Sequence, residues 1–307
     1  MTALDFIDWF KSHLHAAKIE FALTSGQACV YYGIQQTTKD SDWIIRPADL
    51  SKLCELFSRI ESENCRIEYR QFCGAPLVED YLAGGWTSHV SLHDSAGQEH
   101  HLDFFGKPPR VTSLERDSEN SDYANRVTVA QMKKTDREKD WPIVFSLGQQ
   151  AISAGDIRGV LYGMEAEWLV SVWKDISLEN RSTLVVQRPL LGIVDREPKR
   201  LKRCLLIEKY LWATVNRGRY HLYTRHWKDF YHQWRQEPGF VWPMNASFAQ
   251  QHDKLTQAVL RYQLPFDVVS ANRAAIIAKA AAETMEVFAA TEDELNAIMP
   301  PVELLLP

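Results

Sequence analysis

Residues 21–45 read FALTSGQACVYYGIQQTTKDSDWII. An apolar β-prone run, Phe21–Thr24, stops at Ser25-Gly26, and a short stretch of helical character, Gln27–Tyr32, follows. The segment ends in Asp40-Ser41-Asp42 and a second β-prone run, Trp43–Ile45. Carboxylates are poor strand residues, and side chains at i and i+2 of a strand point to one face. Two like charges that close repel, and one keeps its proton unless a cation sits between them. A divalent cation resolves the conflict. Hard oxygen ligands suit Mg²⁺, which takes one or two protein carboxylates and completes its shell with water and phosphate oxygens.

A third acid, Asp103, lies inside His100-His101-Leu102-Asp103-Phe104-Phe105, another β-prone run. If that strand pairs beside the one bearing Asp42, three carboxylates converge. Three acids can hold two metal ions about 3.5–4 Å apart, an arrangement suited to displacement at phosphorus. By strand parity His101 shares the face of Asp103. Ser25-Gly26, at the mouth of a helix, offers backbone N–H groups, close approach and a hydroxyl to an anion such as a triphosphate. On a surface hairpin, by contrast, Asp-x-Asp is simply solvated. His89 and His93 share a strand face yet sit well apart, which does not favour zinc.

The wider chain frames these residues. It has 307 residues, 45% hydrophobic and 24% charged, enough for two domains of ordinary composition. No apolar run approaches the ~18–20 residues of a membrane span. The N-terminus lacks the apolar block of a signal peptide and reads as an amphipathic helix. Five cysteines without a CxxC pair argue against a disulfide framework and a zinc site, so a cytoplasmic location is expected.

Candidate strands are Phe21–Thr24, Trp43–Ile45, Cys65–Phe72, Thr87–His93 and Glu99–Phe105, with a hairpin at Ser95–Gly97. Helices are expected at Leu4–Ala17, Gln27–Tyr32, Ala48–Glu61 and Val129–Gln149. Beyond about residue 152 only helical patterns remain: Ile157–Ile176, Pro198–Tyr220, Ser247–Tyr262 and Val268–Ala290. The expected fold class is α+β, a mixed sheet with flanking helices in residues 1–152 and a helical domain in residues 153–307. Ser153-Ala154-Gly155 supplies the break.

Together these residues resemble the core motif of the polymerase-beta-like nucleotidyltransferase superfamily, and more narrowly its small bacterial abortive-infection toxin branch. Ser25-Gly26 falls on the glycine pair, Ala28 on a small helix position and Gly33 on a later glycine. Thr38 precedes the aspartates, Asp40 and Asp42 fall on the metal ligands, and Asp103 falls on the third acidic position. MKKTDREKDWPIV, residues 132–144, resembles a later motif at Lys133, Arg137, Lys139 and Asp140. Two departures stand out: the glycine pair reads Ser-Gly, and Gln36 stands where an arginine is usual.

The resemblance implies transfer of a nucleoside monophosphate from a nucleoside triphosphate to a hydroxyl, with Mg²⁺ or Mn²⁺. Asp40, Asp42 and Asp103 would be the catalytic metal ligands. Ser25, Gly26, Thr38, Lys133 and Arg137 would hold the nucleotide, and a protein antitoxin is an implied partner. Asp140 can instead be structural, with Arg137–Asp140 an ordinary helix pair.

Charge separates the halves. Residues 1–150 carry 16 basic and 22 acidic side chains, and the rest carry 19 and 18. Residues 196–235 hold eleven basic against three acidic side chains, interleaved with Tyr210, Trp212, Tyr220, Tyr223, Trp227, Tyr231 and Trp234. If those aromatics are exposed, the segment suits RNA. If they are buried, the charges are only a wet helix face. An RNA end and a protein hydroxyl are both expected acceptors. An inactive nucleotide- or partner-binding module is the alternative, which Gln36 favours. A small-molecule modifier of antibiotic type is a second, against which the basic segment argues.

Overall fold

The computed structural model describes residues 3–307. Five strands form one sheet: β1 (Phe21–Thr24), β2 (Asp40–Ile45), β3 (Arg66–Tyr69), β4 (Thr87–His93) and β5 (Glu99–Phe105). Helices α1 (Ala3–Ala16), α2 (Ser25–Tyr31), α3 (Leu50–Glu61) and α4 (Glu79–Ala83) are interspersed with them. Then come α5 (Arg126–Met132), α6 (Asp140–Ser153), α7 (Ala166–Trp173), α8 (Leu178–Gln187), α9 (Pro198–Arg235) and α10 (Phe248–Arg261). The chain ends in α11 (Arg273–Phe288), α12 (Glu292–Asn296) and α13 (Val302–Leu305). This is the α+β class expected from the sequence. Among the described residues no helix is long and apolar enough to cross a membrane.

Compactness divides the chain elsewhere than at residues 152–153. One unit comprises Met1–Pro108, Glu119–Tyr123 and His221–Ser270; the other comprises Pro109–Ser118, Ala124–Tyr220 and Ala271–Pro307. Gly155, with φ +85°, supplies the expected turn. The chain then folds back within the same unit, where a Cβ at Gly148 or Gly159 would overlap the other residue's carbonyl oxygen. Only two residues without side chains let α6 and the 3-10 turn at Ile157–Tyr162 approach so closely.

In the first unit the strand order is β1-β2-β5-β4-β3, parallel only between β2 and β5. Alternation assigns the two faces. Trp43, Ile45, Val90, Leu92, Leu102 and Phe104 lie on one face and are buried. The amphipathic helices supply its cover. Phe10 of α1 meets Trp43 edge-on at 5.0 Å, and Phe57 of α3 meets Phe104 at 5.8 Å and Phe248 of α10 at 4.9 Å. Burying each such ring contributes about 1.5–3 kcal/mol.

Both sheet edges are occupied. The Leu23 N–H donates to the Asp122 carbonyl at 2.7 Å. At β3 the Gln251 amide accepts from the Tyr69 N–H and donates to the Ile67 carbonyl, both at 3.0 Å. An edge so capped no longer templates another strand.

In the second unit the expected helix Val129–Gln149 is interrupted between α5 and α6. The cause is Asp140, which is 1% exposed and collects the Thr135 hydroxyl, the Arg137 guanidinium at 2.7 Å and the Lys133 amine at 3.8 Å. The expected helix Ile157–Ile176 is a 3-10 turn followed by α7, and α8 was not anticipated.

Candidate functional site

The second sheet face is polar, and it carries the aspartates. Directly opposed residues on neighbouring strands project to the same side. The β2–β5 register opposes Asp42 to Asp103 and Asp40 to His101. The β1–β2 register opposes Thr24 to Asp42, and the β4–β5 register opposes His89 to Asp103. All three acids therefore share one face, on two interior strands, as their sequence spacing suggests.

Each acid is engaged. The Asp103 carboxylate lies 2.7 Å from Nδ1 of His89 and 3.6 Å from the Arg70 guanidinium. The other nitrogen of His89 faces the Cys73 carbonyl at 3.1 Å, so each ring nitrogen has an oxygen to donate to. Asp40 lies 3.1 Å from Nδ1 of His101, whose Nε2 is 3.1 Å from Glu99. Neither Arg70 nor His89 is marked in the sequence as part of this site. They reach it through strand pairing, which a single sequence does not disclose.

The turn that closes β1 sits at the same end. Ser25 has φ +51°, a left-handed conformation that is uncommon outside glycine and costs of order 1–3 kcal/mol. Gly26 follows it, and a Cβ there would overlap the Thr38 hydroxyl, which donates to the Asp40 carbonyl at 3.2 Å. Ser25, Gly26 and Thr38 are thus gathered beside Asp40 and Asp42. Lys133 and Arg137 belong to the other unit, where Asp140 takes both.

The donor chemistry suits a hard cation at two carboxylates. Asp42 and Asp103, adjacent across β2 and β5, offer that pair, and Mg²⁺ needs no more from a protein when substrate and water complete its shell. The fuller expectation was three ligands sharing two ions. Among the described residues no group of three or more His, Cys, Asp or Glu side chains is disposed to hold a metal ion.

A Cys-His pair also emerges, 198 residues apart in sequence. Cys54 Sγ lies 4.0 Å from Nε2 of His252, whose Nδ1 is 2.8 Å from the Tyr69 hydroxyl, beside a cavity of about 360 Å³. Burial, with Glu55 and Asp253 adding to it, pushes the Cys54 thiol up to about 12, which suppresses the thiolate a nucleophile needs.

The basic segment reads differently in three dimensions. Trp212, Tyr223, Trp227 and Trp234 are buried, while Tyr220 is exposed. Lys202 pairs with Glu167, Arg203 with Glu294, Lys209 with Glu138 and Arg217 with Glu283. Four of the eleven basic side chains are answered by acids from distant sequence, and four of the seven candidate stacking rings are core.

No family model, curated protein or solved structure matches the chain.

Proposed function

We propose that the protein is a metal-dependent nucleotidyltransferase, moving a nucleoside monophosphate from a nucleoside triphosphate to a hydroxyl acceptor. The observation that carries this reading is the in-register pairing of Asp42 with Asp103, with Asp40 on the same face. A divalent ion held at these carboxylates would neutralise polyphosphate charge. His89 and Arg70 contact Asp103, whose carboxylate would accept a proton from the attacking hydroxyl. Ser25 and Thr38 offer hydroxyls, and Gly26 a close backbone approach, to the triphosphate. The acceptor is an RNA end or a protein hydroxyl, and a toxin-type role with a protein antitoxin fits that chemistry.

Labelled nucleotides incubated with Mg²⁺, total RNA and total protein test the reading and show which pool takes up label. Asp42→Asn is expected to abolish incorporation while leaving the melting temperature nearly unchanged. Wild-type incorporation by that variant would refute the mechanism.

A second reading, a nucleotide-binding module without turnover, is favoured by the engagement of Asp103 with His89 and Arg70 and of Asp40 with His101. Calorimetry paired with pyrophosphate release separates the two: Mg²⁺-dependent ATP binding without release supports the second.

A further inference from the structure

The second unit encloses a cavity of about 130 Å³, lined by four cationic side chains, Arg110, Lys134, Arg158 and Arg188, against two carboxylates, Glu115 and Glu208. The three guanidinium groups are already bonded to the protein. Arg110 donates to the carbonyls of Gln131 and Met132 and to the Asn216 amide oxygen. Arg158 donates to Asp156 and Glu115. Arg188 donates to Glu208 and to the carbonyls of Val160 and Gly163.

Lys134 differs. It is 6% exposed, and its amine has neither a hydrogen-bond nor an ion-pair partner among the described residues. Its neighbours are the rings of Trp212 and Tyr162, with centroids at 4.5 and 4.8 Å. An ammonium so nearly buried, with only the cavity's solvent and no protein acceptor before it, is costly, and aromatic faces compensate it only in part.

We propose that this cavity binds a compact oxyanion, a phosphate or carboxylate group, with the Lys134 ammonium as its counter-ion. The ligand supplies the acceptor that the chain withholds. The guanidinium groups, fixed by their own hydrogen bonds, supply positive potential without rearranging. Thr112 and Ser113, exposed residues of the same lining, give the anion access to solvent. The site rests on none of the aspartates of the first unit.

Ligand binding is coupled to protonation. Burial pushes the free amine down to about 7; Arg188 and Arg110 add to the fall and Glu208 opposes it. The other titratable groups of the lining are Glu115, Arg158 and Tyr162, and the C-terminal segment adds only Pro300 and Leu304. An anion favours the charged amine, so binding draws in a proton wherever the free amine is neutral.

The test is calorimetry on the full chain, with sulfate as a phosphate analogue that does not itself titrate, and with acetate. Each is run in two buffers of different ionisation heat. Saturable binding of at least one anion is expected, with most of one proton taken up at about pH 8 and little at about pH 6. Sulfate alone binding assigns the phosphate class, and acetate alone the carboxylate class. Lys134→Met is expected to weaken binding by at least about tenfold and to remove the proton uptake. Should that variant not fold, proton uptake by the wild type decides. Absence of binding by both anions, or binding without proton uptake at about pH 8, overturns the proposal.

Discussion

Replacing Glu208 with leucine removes one half of a buried ion pair and leaves the other behind. Arg188 and Glu208 are each 3% exposed and bonded through two guanidinium nitrogens, at 2.9 and 2.6 Å. Leucine fills similar space, so the loss is electrostatic. An uncompensated buried charge of this kind costs about 3–5 kcal/mol. At about 1.5 °C per kcal/mol for a chain of 307 residues, the melting temperature should fall by roughly 5–8 °C.

Arg188→Met costs more than the mirror of this, because the Gly163 carbonyl also loses its donor, while the Val160 carbonyl keeps the Gly163 N–H at 3.2 Å. An unsatisfied buried carbonyl costs about 1–3 kcal/mol. The double variant Arg188→Met/Glu208→Leu leaves no orphaned charge, only the Gly163 carbonyl. Its expected loss is about 1–3 kcal/mol, well below the sum of the single losses. Urea unfolding of all four proteins, followed by circular dichroism, measures the cycle. Single variants within about 1 kcal/mol of wild type, or losses that simply add, would refute the reasoning.

Lys134 and Gly26 have measurable consequences of their own. Unfolded, the Lys134 amine titrates near 10.4, as a free lysine does; folded, it is pushed down to about 7. Between those values the unfolded chain holds a proton that the folded chain has released. The residue therefore destabilises the fold fully below about pH 7, and progressively less as pH rises toward 10. Lys134→Met should be more stable than wild type by about 1–4 kcal/mol near pH 6, with the gain shrinking by about pH 10; a pH-independent difference would contradict the burial argument. At Gly26, alanine must displace Thr38, and a loss of about 1–3 kcal/mol is expected in urea unfolding. Gly26→Ala/Thr38→Gly should recover most of it, and an undiminished loss in that pair would show that the two residues do not pack as described.

The strands of the first unit are legible where local chemistry and tertiary packing agree. Thr87–His93 and Glu99–Phe105 were bounded correctly, because alternation ends at a turn built by local residues. There Asp94 accepts from the N–H groups of Ala96 and Gln98, at 2.9 and 3.0 Å. Legibility fails where the cause is remote. The break in residues 129–149 is local by contrast: Lys133, Thr135 and Arg137 gather on Asp140, and the apolar periodicity reads through it because it takes no account of polar side chains. The adjacent lysines 133 and 134 look alike on paper. One meets a carboxylate and the other two aromatic rings, a difference made by residues up to 78 positions away. The basic run in α9 misleads for the same reason: Glu138, Glu167, Glu283 and Glu294, which answer its charges, all lie outside it.

The aspartate face poses the opposite problem, because there the structure sharpens the question raised by the sequence. A merely wet sheet face is well served by threonine, serine or lysine, and like charges directly opposed across strands are destabilising. Here Asp42 and Asp103 are opposed on two interior strands rather than at an edge, where water would screen them best. The chain adds His89 and Arg70 on one flank of the pair and a serine in a left-handed conformation on the other. Backbone strain and a directly opposed pair of carboxylates thus coincide at one end of one sheet. Such coincidence is expected where a cationic ligand or a bound charge is to be held, since the free-energy cost is recovered only on binding. The measurable consequence is that Asp42→Asn, which keeps the shape and one oxygen acceptor, should leave stability close to wild type, so that any loss of nucleotide chemistry in that variant is a loss of the site and not of the fold.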